Sequence, residues 1–146
     1  MKQIQIAILG YGTVGTGVAR LLMENADILA QRVGAHLRLR YVADIDTTTD
    51  RGLQLPEGVL IDDAAKAIAD PEVAIVVETI GGEGIAKTLM DKALQSGKHV
   101  VTANKALLAK HGNALIASAA GASADLAFEA SVGGCMPIIK TLREAL

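Results

Sequence analysis

Ile4-Gln5-Ile6-Ala7-Ile8-Leu9-Gly10-Tyr11-Gly12-Thr13-Val14-Gly15 decides how this chain is read. An apolar run enters Gly-x-Gly-x-x-Gly, and a helical pattern continues over residues 14–23. Strand, glycine turn and helix in that order turn a weak glycine pattern into a dinucleotide-binding signal. Each glycine has its own mechanical task. Gly10 permits the tight turn off the strand, Gly12 lets backbone approach a pyrophosphate, and Gly15 lets helix and strand pack closely. The phosphates then meet the open N–H groups and positive end of the helix. The bland alternative is a glycine-rich turn in a nucleotide-free α/β domain, and the flanking pattern argues against it.

Working outward, apolar runs and helical patterns alternate along the chain. Strands are expected at residues 3–9, 37–44, 73–79, 99–103 and 125–130. Helices are expected at 13–29, 63–69, 83–96 and 106–119, with another from about 136 onward. The continuous run Val73-Ala74-Ile75-Val76-Val77 suits a strand buried on both faces, as in a parallel sheet covered by helices. The alternation implies right-handed crossovers and a Rossmann-type doubly wound α/β fold, with a mostly parallel sheet in one domain. Residues 46–58 form the one polar, loop-like stretch, and the Ala/Ser/Gly run over 117–124 reads as a surface helix end.

Composition narrows the class. A chain of 146 residues buries about 68–70% of its unfolded surface, enough for one core without staples. At 51% hydrophobic residues, disorder is not expected, and the apolar runs are too short for a membrane span. Met1-Lys2-Gln3 leads straight into a strand, without the apolar region of a signal peptide. The single cysteine, Cys135, excludes an internal disulfide framework and suits a reducing cytoplasm. With net charge −2 and only Tyr11, Tyr41 and Phe128 as aromatics, neither a basic footprint nor stacking platforms for nucleic acid are expected.

In an NAD site, an acid at the end of the second strand accepts hydrogen bonds from the adenosine ribose hydroxyls. Asp44 closes Leu37-Arg38-Leu39-Arg40-Tyr41-Val42-Ala43 and is the natural candidate. Its carboxylate would repel a 2′-phosphate, which favours NAD over NADP. Asp46 competes for the same role, and Arg51 could restore NADP binding from the loop. The alternative for Asp44 is an ordinary Asx turn.

Two further segments, Val100-Val101-Thr102-Ala103-Asn104-Lys105-Ala106-Leu107 and Phe128-Glu129-Ala130-Ser131-Val132-Gly133-Gly134-Cys135-Met136-Pro137, follow expected strands. Both should lie at the carboxyl edge of the sheet, where open α/β sheets bind ligands. Together with the glycine turn and Glu78-Thr79-Ile80-Gly81-Gly82, they resemble homoserine dehydrogenase over essentially the whole chain. That family interconverts L-homoserine and L-aspartate 4-semialdehyde with NAD(P).

The resemblance assigns roles. Thr13 and Val14 match the turn whose backbone covers the pyrophosphate, and Thr79 falls in a loop near the nicotinamide half. Lys105 matches a lysine that reaches the cofactor and faces the substrate pocket, and it is the catalytic candidate. A cation there can hydrogen-bond ribose hydroxyls or polarise a carbonyl oxygen. The alternative is a solvated lysine, though a helix start is a poor place for a cation. Residues 129–136 resemble a sodium loop, with the Glu129 carboxylate and the carbonyls of Val132, Gly134 and Met136 as ligands. Oxygen donors suit a hard cation. The chain departs from the pattern at Cys135, where the family has glycine. If that position needs φ > 0, the loop is strained there. Cys135 itself reads as a packed thiol rather than a nucleophile.

His36, His99 and His111 are scattered without metal-ligand spacing, so no zinc site is expected. The family's substrate-binding acids and catalytic lysine belong to a second domain following the cofactor domain, and residues 1–146 are expected to carry only the latter. The expected partners are a dinucleotide, L-homoserine once the second domain is present, and a second copy in a homodimer. Neither nucleic acid nor membrane is expected. Two other readings share the glycine turn: a stand-alone nucleotide-sensing module like those gating potassium transport, and the cofactor domain of an aspartate-dehydrogenase-like or sugar-type oxidoreductase. The first does not call for Asn104-Lys105 or the 129–137 loop, and the second commonly carries Glu-Lys-Pro where this chain has Asn104-Lys105-Ala106.

Overall fold

The opening apolar run becomes β1 (Lys2–Leu9), and its side chains go both ways: Ile6 and Ile8 join one buried cluster, Ala7 and Leu9 another. A strand buried on both faces belongs in the middle of a covered sheet. A computed structural model, which describes residues 1–145, puts it there. After β1 come α1 (Thr13–Glu24), α2 (Ala26–Val33), β2 (Ala35–Ala43), β3 (Leu60–Ile61) and α3 (Ala64–Ala69). The second half holds β4 (Val73–Glu78), α4 (Gly84–Gln95), β5 (His99–Thr102), α5 (Lys105–Gly121), β6 (Leu126–Ala127), α6 (Glu129–Val132) and α7 (Ile138–Ala145).

The strand order is β3-β2-β1-β4-β5-β6, and every pairing is parallel. This is the doubly wound arrangement expected, with a sheet wholly rather than mostly parallel. The order reverses between β1 and β4, so the crevice beyond their carboxyl ends is the switch point where such sheets bind ligands. Residues of α1 (Ala19, Leu22) cover one face with Ile6, Ile8 and Val42. The other face packs under α3, α4 and α5 through Ile68, Met90, Leu94, Leu107 and Leu115.

Four expectations need correction. The single helix at 13–29 is two helices, because Asn25 leaves helical geometry (φ −112°, ψ 23°) and its side-chain amide donates to the Leu21 carbonyl at 3.3 Å. Asparagine competes with the helical ladder in this way. The two-residue β3, absent from the reading, arises where Val42 N–H donates to Val59 O at 2.8 Å and Asp44 N–H to Ile61 O at 3.0 Å. The last strand is not 125–130 but only Leu126–Ala127, because four-residue β5 offers it two partners, Val100 and Val101. Finally, the start of the 129–136 segment is a helical turn, α6, rather than open loop.

Candidate functional site

Two of the glycine turn's three tasks, those of Gly10 and Gly15, are visible atom by atom. Gly10 has φ +98°, and a Cβ there would lie 2.8 Å from Ile80 N and the Thr79 carbonyl carbon. A Cβ on Gly15 would lie 1.9 Å from the Gly10 carbonyl oxygen. Gly12 differs: nothing lies within 4 Å of its Cβ position, so open space faces the turn there. Gly12 is also the N-cap of α1, and no side chain caps the helix. The first turn of α1 therefore presents amides that no side chain of the described residues caps, with open space at the Gly12 Cβ position. Thr13 and Val14 are exposed on it.

Asp44 sits just past β2, its carboxylate against the glycine turn. One oxygen accepts from Tyr11 N–H at 2.5 Å, the other from Asp46 N–H at 2.9 Å. The acid thus ties the end of the second strand to the first turn. Asp46, the competitor, faces away into its own loop. Its carboxylate is held well below the usual range by hydrogen bonds from Thr49 and Thr48, and it pairs with Arg51 at 2.9 Å. The guanidinium is thereby committed to Asp46. A cavity of about 350 Å³ opens beside this pair, lined by Tyr11, Thr48, Arg51, Leu55 and Leu60 among others.

Thr79 braces the turn from the β4 side, its hydroxyl 2.9 Å from Gly10 O and 3.1 Å from Leu9 O. Lys105 is the first residue of α5, exposed and without an ion-pair partner among the described residues. Asn104, beside it, caps α5 by accepting from Leu107 N–H at 3.1 Å. The glycine turn, Asp44, Thr79 and Lys105 all fall at the carboxyl ends of β1, β2, β4 and β5, along one edge.

A family model described as the homoserine dehydrogenase NAD-binding domain matches residues 10–129. The chain belongs to that family. Among homoserine dehydrogenases, that of Neisseria gonorrhoeae is 42% identical over 146 residues, covering 100% of this chain and 33% of the relative. That of Corynebacterium glutamicum is 46% identical over 143 residues, 98% of this chain and 32% of the relative. A solved homoserine dehydrogenase from Thiobacillus denitrificans superposes with TM-score 0.89 at 42% identity, over 100% of this chain and 34% of the other. The chain spans about a third of the length of the curated relatives it matches.

Membership of the homoserine dehydrogenase family sets aside the nucleotide-sensing and aspartate-dehydrogenase-like readings. The 129–136 segment, where the resemblance implies sodium, has mixed geometry here. Glu129 Oε1 accepts from Lys140 N–H at 3.2 Å, and the Met136 carbonyl accepts from Ile138 N–H at 2.9 Å. Cys135 adopts φ +61°, so this position does need the left-handed conformation. A residue with a Cβ is strained there. The cysteine is exposed, not packed as expected, since the left-handed turn throws its side chain outward.

Sequence reasoning missed a set of buried polar residues on the same edge: Glu78, Thr102 and Ser131. The available signal was a carboxylate closing the apolar run Val76-Val77-Glu78.

Proposed function

We propose that residues 1–146 are the NAD-binding part of a homoserine dehydrogenase that oxidises L-homoserine to L-aspartate 4-semialdehyde, working in the cytoplasm. Substrate positioning and proton removal would then depend on a further domain. The observation that carries the reading is Asp44, whose carboxylate meets the Tyr11 amide beside the uncapped start of α1. A bound nicotinamide would supply the hydride acceptor for the alcohol carbon. The Thr13 and Val14 amides hold the pyrophosphate, and Asp44 holds the adenosine ribose. Lys105, at the start of α5 and free of ion pairs among the described residues, would be the cation available to the cofactor and the substrate oxygen. Sodium belongs to the same reading, on the Glu129 carboxylate and the Val132, Gly134 and Met136 carbonyls, which are oxygen donors of the right hardness.

NAD is the preferred nucleotide on this reading. Asp44 repels a 2′-phosphate, and Arg51, the cation able to attract one, is neutralised by Asp46 at 2.9 Å. Titration should give tighter binding of NAD than of NADP. Asp44→Ser should narrow that ratio about tenfold, equivalent to about 1.4 kcal/mol. Asp44→Arg should narrow it further. Unchanged selectivity in both variants would shift the discrimination to Asp46 and Arg51.

Homoserine-dependent reduction of NAD by the 146-residue chain alone should stay at the no-protein control. Oxidising an alcohol needs a base within about 3 Å of the hydroxyl proton. Lys105, exposed at the start of α5, has no ion-pair partner among the described residues that could relay that proton. The measurement is absorbance of reduced nicotinamide at high protein concentration. A rate above control that disappears in Lys105→Ala would overturn the division of labour between domains. Activity restored by supplying the remainder of a full-length relative would support it.

A further inference from the structure

Five polar or charged residues are buried among the described residues, and four of them, Glu78, Thr102, Asn104 and Ser131, meet at the carboxyl ends of β4 and β5. The fifth, Lys98, precedes β5 and lies at the opposite edge. Glu78 ends β4 with no exposed surface. A carboxylate so placed is costly unless donors surround it. Here the donors come from the loop after β4 and from the last residue of β5. Oε1 accepts from Ile80 N–H at 2.9 Å and Gly81 N–H at 3.1 Å, and Oε2 accepts from the Thr102 hydroxyl at 2.5 Å.

The bonds continue into a closed circuit. Thr102 Oγ1 accepts from Asn104 N–H at 3.0 Å, and the Asn104 side-chain amide donates to Gly82 O at 2.7 Å, returning to the loop that Glu78 began. Asn104 Oδ1 meanwhile caps α5, whose first residue is Lys105. Ser131 ties in α6 by donating to Thr102 O at 2.8 Å. Gly81 and Gly82, at φ +77° and +70°, give the 79–82 loop its freedom to turn, and the carboxylate removes that freedom.

We propose that Glu78 is a positioning residue for the nicotinamide half of the cofactor: its buried carboxylate, through Thr102 and Asn104, locks the 79–82 loop to the start of α5. This rests on the cofactor reading above. The adenosine half is built elsewhere, on the ends of β1 and β2, where Asp44 and the glycine turn lie. A dinucleotide crossing the switch point must put its other half over β4 and β5. An apolar residue at position 78 would fill the strand equally well, but would leave two loop amides and a threonine hydroxyl without partners.

The circuit is testable because the two halves can be probed separately. NADH reports the nicotinamide half by its fluorescence, and ADP reports the adenosine half alone. In Glu78→Gln the amide oxygen still accepts from the loop, but the Thr102 hydroxyl proton faces an NH2 group and loses its acceptor. Thr102→Val removes the hydroxyl at constant shape, and Thr102→Ser restores it. In the 146-residue chain, Glu78→Gln and Thr102→Val should weaken NADH binding about tenfold, the scale of a broken buried hydrogen bond. The emission of bound NADH should fall toward that of free NADH. ADP affinity should stay within about twofold. Thr102→Ser should behave as wild type. Parallel loss of NADH and ADP affinity would reduce Glu78 to a folding role and overturn the proposal. An unchanged NADH-to-ADP ratio and emission in folded variants would overturn it too, as would wild-type-bound NADH that emits like free NADH. Failure of the wild-type chain to bind either nucleotide would instead remove the cofactor reading, and this proposal with it.

Discussion

Gly15→Ala is expected to destabilise the fold by about 3 kcal/mol or more, while Gly17→Ala, two residues further along the same helix, stabilises it by up to about 1 kcal/mol. The two glycines look alike in sequence. In space they differ completely. A Cβ at position 15 would sit 1.9 Å from the Gly10 carbonyl oxygen and 2.9 Å from Thr79 Oγ1. The first of these is backbone of the turn itself, pinned by Gly10 N–H donating to Ala43 O at 2.8 Å and by the Thr79 hydroxyl. Nothing there can yield without separating α1 from β1. At position 17 nothing lies within 4 Å, so the methyl enters open space and the helix gains alanine's propensity. Urea unfolding of both variants measures the contrast. For a domain whose whole stability is about 5–15 kcal/mol, the first loss is large. Equal midpoints for the two variants would mean that α1 does not pack on the turn as described.

How much of this was legible beforehand depended on how local each feature is. The glycine turn, the alternation of strands and helices, and Asp44 at the end of β2 are written in contiguous residues, and each was found in place. The features missed depend on partners far away in the chain. The strand β3 is two residues long and exists only because Val42 and Asp44 donate to Val59 and Ile61. Within the 117–124 run, read as a surface helix end, Ala119 and Ala124 are buried in the core cluster, because α5 runs on to Gly121 over the sheet. Lys98 reads as an ordinary surface lysine, yet its ammonium donates to Asp70 O at 2.8 Å and Val73 O at 2.7 Å, and burial pushes its pKa down. Glu78 belongs to the same class: its three donors come from the loop after β4 and from the end of β5, which no periodicity announces. Cys135 was legible in part. The departure from glycine flagged a left-handed position, and φ +61° bears that out, but its exposure depends on how the turn faces solvent.

Gly12→Val should leave the fold in place and weaken NAD binding about 100-fold or more. Gly12 adopts φ −71° and ψ −163°, a conformation open to residues with a side chain. Its Cβ position meets nothing within 4 Å, so the protein has no steric reason for glycine there. On the proposed cofactor reading, the reason lies outside the protein. Backbone at this position would approach a pyrophosphate, and a branched side chain would stand where the phosphate oxygens would meet the first amides of α1. Losing two charge-assisted hydrogen bonds of about 1.5–3 kcal/mol each gives the expected factor. Calorimetric titration with NAD, paired with thermal unfolding, separates the outcomes. Unchanged unfolding with lost binding is the signature of a glycine kept for a ligand, the reverse of the pattern at Gly15. Wild-type affinity in Gly12→Val would take the pyrophosphate off this turn, and Asp44 would then have no ribose to hold.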